Sequence, residues 1–176
     1  MEGTLAARPA ARAEAAGTGE AGGPIYDLIE LFFFAYRDFV ADPDRLLGEL
    51  GLGRAHHRVL HFVARRPGMP VAELLDILRI TKQSLNRSLK ELVDKGFVEA
   101  RTGTADRRQR LLYPTGSGRA LALRLARVQT QRILQALGGE REGPARDAAQ
   151  SFLTAMMDAA PGAEMRSPVR GAKVAP

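Results

Sequence analysis

With 176 residues, 45% of them hydrophobic, the chain has room for one compact domain, alone or with a dimerisation extension, and enough apolar side chains for a core. It has no Cys, which excludes disulfides, thiolate metal sites and thiol redox switches. No apolar run approaches the ~20 residues that cross a bilayer, and the formal net charge of +6 points to a polyanionic partner.

Residues 1–24 are Ala, Gly and Arg with almost no large apolar side chain, so they are expected to form a disordered arm. Its cations are Arg8 and Arg12, too few for a groove-binding arm. It lacks the apolar stretch of a secretory signal, and the expected location is cytoplasmic. A first helix is predicted over 25–41, where Ile25, Leu28, Ile29, Phe32, Tyr36, Phe39 and Val40 recur at steps of three and four. Phe33 and Phe34 widen that face beyond one packing partner, so a second subunit is expected to cover part of it. Asp42-Pro43 is expected to end the helix.

Helices are predicted over 54–65, stopped by Arg66-Pro67-Gly68, and over 71–78, with Leu74 and Leu78 inward. A tight turn follows with Arg79-Ile80 and no Gly. Thr81 is a ready N-cap for a fourth helix ended by Gly96. Leu85, Leu89, Leu92 and Val93 form its inner face; Lys82, Gln83, Asn86, Arg87 and Lys90 form the opposite one. Two short paired strands are predicted at 97–101 and 110–113, joined by a basic loop carrying Arg107 and Arg108, with Pro114 stopping the second. Thr115 then caps a fifth helix to about residue 137, and Pro144 opens a last one to about residue 160. From residue 161, Pro, Gly, Arg and Lys return and disorder is expected.

The fold class is therefore mainly α with a small β-hairpin wing: a winged helix-turn-helix over about 54–114, with further helices at 25–41, 116–137 and 144–160. Between Arg79 and Arg110 stand nine cations and four anions, a net +5 of the whole chain's +6. Charge focused on one helix and hairpin suits a duplex. Gln83, Asn86 and Arg87 are the expected base readers, because Arg and Asn offer bidentate geometry to guanine and adenine. Lys82 and Lys90 suit phosphates. Thr81, Ser84 and Ser88 read or position, and Arg107 and Arg108 bring the wing to the minor groove or backbone.

His57 and His61, four apart on a helix, share a face, and His56 adjoins them. A metal site there competes with a packed histidine pair. No H-E-x-x-H and no carboxylate near in sequence completes it, and Asp38 or Asp42 could do so only through the fold, so no metal, cofactor or enzymatic activity is expected. Phe33, Tyr36, Arg37, His57, His61 and Phe62 read either as a pocket for a small aromatic or anionic ligand or as core and dimer contacts. The alternative for the basic face is an interaction module for a protein or RNA partner.

The segment DRRQRLLYPT, from Asp106 to Thr115, resembles the wing signature of the MarR family of bacterial transcription regulators, with Pro114 in place of the usual Leu. ITKQSLNRSLKELVDKGFV is similar to that family's recognition helix. HHRVLHFVARRPG and VAELLDILRITKQSLNRSLK look like its PetP-like branch. The resemblance covers about 25–160. It implies an obligate homodimer held by the first and the two C-terminal helices, and two recognition helices on a pseudo-palindromic operator. It further implies that Asp106 holds the wing by pairing with Arg108 or Arg107, and that a ligand pocket lies between the dimerisation helices and the winged helix.

Overall fold

A computed structural model describes residues 23–103 and 106–158. The two tails expected to be disordered lie outside these residues, apart from Gly23 and Pro24. The described elements run α1 (Tyr26–Gly48), α2 (Arg54–Arg65), β1 (Met69–Pro70), α3 (Val71–Leu78), α4 (Lys82–Asp94), β2 (Val98–Thr102), β3 (Arg110–Pro114), α5 (Gly116–Ala136) and α6 (Pro144–Ala155). They make a mainly helical fold with a three-stranded antiparallel sheet in the order β1-β3-β2.

The first helix does not stop at Asp42-Pro43. Pro43 lies inside α1, which continues to Gly48. Proline removes one ladder hydrogen bond, to the carbonyl of Phe39, but its fixed φ is itself helical. Val40, Pro43 and Leu47 fall at steps of three and four and are all buried. Their burial offsets the lost bond. The other end of α1 differs: Ile25, Tyr26, Leu28, Ile29, Leu31 and Phe32 to Phe34 are all exposed.

The core gathers Leu47 of α1, Val59, Leu60 and Val63 of α2, Leu74 and Leu78 of α3, Leu85, Leu89 and Leu92 of α4, Val98 and Leu112 of the sheet, and Leu121 and Leu125 of α5. β1 has no counterpart in the sequence reading. Two residues are too few for an alternation pattern, and Met69 and Pro70 pair with Leu112 and Leu111 through the fold alone. Pro114 does not stop β3 from outside; it is the last residue of that strand, paired with Val98. β2 begins one residue later than expected because Phe97 belongs to the helix stop. There Gly96, at φ +72°, donates to Val93, and Phe97 donates to Leu92. This double bond is the Schellman arrangement. α6 ends at Ala155, short of residue 160.

The start of α5 is fastened to this same turn. Thr115 Oγ1 accepts from the Gly118 amide at 3.0 Å and donates to the Gly96 carbonyl at 2.7 Å. Ser117 Oγ donates to that carbonyl too, at 2.9 Å. Gly118 packs so closely that an added Cβ would stand 1.9 Å from the Phe97 carbonyl oxygen.

Candidate nucleic-acid interface

α4 starts where Thr81 Oγ1 accepts from the Ser84 amide at 3.2 Å, so the expected N-cap forms. Leu85, Leu89 and Leu92 turn inward and are buried. That anchoring leaves Lys82, Gln83, Ser84, Asn86, Arg87 and Lys90 exposed together on the outer side. Ser88 is separated from them: it is buried, and its hydroxyl donates to the Ser84 carbonyl at 3.3 Å. Its hydroxyl is turned to the helix backbone and away from the exposed side. Lys90 Nζ sits 2.6 Å from Asp94, and that hydrogen bond raises its pKa, so it stays cationic.

A chain of polar contacts ties this helix to α2. The Gly53 amide donates to His56 Nδ1 at 3.0 Å, and His56 Nε2 lies 2.9 Å from Glu91 Oε2. With Nδ1 accepting, the ring proton sits on Nε2 and points at the carboxylate. Glu91 Oε1 in turn lies 3.5 Å from Arg87 Nε. Sequence reading placed His56 with its histidine neighbours; its role as an N-terminal cap of α2 was legible only from its position three residues after Gly53.

The wing is β2 and β3 with their connection. Arg107 and Arg108 are exposed at its turn. Asp106 meets Arg108 through its backbone rather than its guanidinium. Its Oδ1 accepts from the backbone amide of Arg108 at 2.9 Å, and its carbonyl accepts from the Gln109 amide at 3.0 Å. An Asx-type turn of this kind uses the carboxylate locally and leaves both arginine heads available.

The histidine pair faces a cavity of about 340 Å³ between α1, α2 and α5, lined by Tyr36, Phe39, Val40, Arg54, His57, Arg58, His61, Phe62 and Gln129. Of the expected pocket residues, Tyr36, His57, His61 and Phe62 meet there; Phe33 and Arg37 do not. Those two are four apart on a stripe of α1 that faces away. Arg37 bonds Asp38 at 2.8 Å and lies over the Phe34 ring. The cation at the cavity is Arg54, which grips Asp44 Oδ2 at 2.6 Å and lies 5.8 Å from the Tyr36 ring centre. Burial lowers the pKa of both histidines, reinforced at His57 by His61 and at His61 by Arg65. Asp44 opposes the shift at His57, and the neutral form of each predominates at pH 7. Among the described residues no group of three His, Asp or Glu is arranged to hold a metal.

Comparison with known proteins places this architecture. Residues 50–109 match the model of the MarR family. The chain is 47% identical over 133 residues to the HTH-type transcriptional regulator PetP of Rhodobacter capsulatus, covering 75% of this chain and 79% of that protein. Its fold is similar to Streptococcus pneumoniae FabT, solved in complex with DNA (TM-score 0.62, 17% identity, 73% of this chain and 92% of that one). It is also similar to a MarR transcriptional regulator from Methanosarcina mazei Go1 (TM-score 0.61, 20% identity, 73% and 92%). Fold, wing and sequence agree: the chain belongs to the MarR family of winged-helix transcriptional regulators.

Proposed function

We propose that this regulator binds double-stranded DNA as a homodimer, without catalytic activity, and sets one α4 into each of two major grooves about one helical turn apart on a pseudo-palindromic site. The observation that carries the reading is the outer side of α4. Gln83, Asn86 and Arg87 stand there exposed between Lys82 and Lys90, so base-reading and phosphate-binding side chains share one surface. Arg107 and Arg108 extend the positive surface onto the wing. A second subunit is supported by the exposed apolar half of α1, by Phe152 and Leu153 of α6, and by Met156 and Met157 just beyond its end. Apolar patches of that extent mark interaction sites.

The test is binding to duplexes selected from a randomised pool. The expected result is a two-fold-related site, with affinity falling steeply as salt rises. Equal, weak binding to every duplex, or a monomer in sedimentation, would overturn the reading and favour a protein or RNA partner. The cavity beside His57 and His61 supports a ligand-modulated version, with Arg54 rather than Arg37 facing a small aromatic or anionic compound. Phenolates or carboxylates that bind there raise the Tm and change the duplex affinity.

A further inference from the structure

The turn between α3 and α4 contains the one non-glycine residue with positive φ among the described residues, Arg79, at φ 49° and ψ 48°. In this left-handed region the Cβ of any L side chain crowds the backbone, and glycine is the residue that enters it freely. The surroundings hold the conformation firmly. The Arg79 amide donates to the Leu75 carbonyl at 2.9 Å, Arg58 Nη2 donates to the Leu78 carbonyl at 2.8 Å, and Leu78 itself is buried. The fold thus demands a left-handed residue here and the sequence supplies an arginine. Its side chain is exposed and makes no ion pair among the described residues. Packing and capping therefore give no account of the choice.

The position does give one. The recognition helix of a helix-turn-helix meets DNA with its N-terminal residues, and Arg79 stands three residues before Lys82, at that end of α4. We propose that Arg79 is a DNA-backbone contact, a guanidinium held by a strained turn against a phosphate flanking the bases that α4 reads. The strain is retained because glycine, which the turn favours, carries no charge. This rests on the DNA-binding reading above and adds a residue to it.

Three variants of the full chain separate the two demands on this position, with a duplex selected by the wild-type protein and a scrambled duplex as probes. Arg79→Gly removes both charge and strain. Its Tm is expected to be no lower than the wild type's, while binding weakens alike on both duplexes and the salt slope flattens by about 1 per half-site. Arg79→Ala removes the charge and keeps the strain, so it shows the same flatter slope without a gain in Tm. Arg79→Lys keeps the wild-type slope. A Tm for Arg79→Gly several degrees below wild type would show that the turn does not favour glycine. An unchanged salt slope in both uncharged variants would remove the phosphate contact. Either result overturns the proposal while wild-type binding stands; if the wild type binds no duplex, it is the DNA-binding reading that fails.

Discussion

Arg87 reaches out from the middle of α4 with 87% of its side chain exposed, and Glu91, one turn on, lies beside its guanidinium. An exposed pair of this kind holds the head loosely, since such pairs are worth only about 0.3–0.5 kcal/mol. The guanidinium can therefore leave Glu91 at little cost, as the proposed contact with a guanine edge requires. Arg87→Ala is expected to weaken binding to the selected duplex by about 5- to 150-fold per half-site, from about 1–3 kcal/mol of base discrimination, and to change binding to a scrambled duplex little. Equal loss on both, in a titration at fixed salt, would make Arg87 a phosphate contact. Gly118 is a residue of the opposite kind, needed for what it lacks. A methyl group there meets the carbonyl of Phe97 at 1.9 Å, and that carbonyl accepts from the Thr115 amide and cannot simply turn aside. Gly118→Ala is expected to cost about 3 kcal/mol, seen as a fall in Tm of about 10 °C.

At the scale of elements, the wing depends on one carboxylate bonded to backbone. Asp106→Ala removes the acceptor for the Arg108 amide. The expected outcome is faster amide exchange at Arg108 and Gln109 and weaker duplex binding with little change in Tm, because the turn lies outside the core; Asp106→Asn keeps an acceptor and restores both. Which elements form was largely legible in the sequence. α2 and α3 carry apolar residues at helical spacing between clear stops, and Thr81 and Gly96 bracket α4 through backbone chemistry that needs no tertiary partner. The errors share a cause. Pro43 is a helix breaker by local rules, but its ring is buried beside Val40 and Leu47, a fact that exists only after folding. β1 exists only because Leu111 and Leu112 offer it a ladder. Arg54 reaches the cavity in place of Arg37 because of how α1 lies across α2, which spacing along either helix does not encode.

For the whole molecule, the cavity between the helices sets a pH response. His57 and His61 have pKa values lowered from 6.5, chiefly by burial. As pH falls through about 6.5 the unfolded chain takes up these protons before the folded one does. The contribution of both groups to stability is therefore complete above that pH and declines below it. The Tm is expected to be level from about pH 8 to 7 and to drop below pH 6.5, and a His57→Gln, His61→Gln variant should flatten that drop. A slope unchanged in the double variant would assign the acid sensitivity to other groups.

The oxygen of Gly96 has a mechanical meaning beyond capping. By receiving both Thr115 and Ser117, it welds the exit of one helix to the entrance of the next, with no slack at Gly118 to act as a pivot. Any movement that parts the end of α4 from the start of α5 must therefore break both of these bonds.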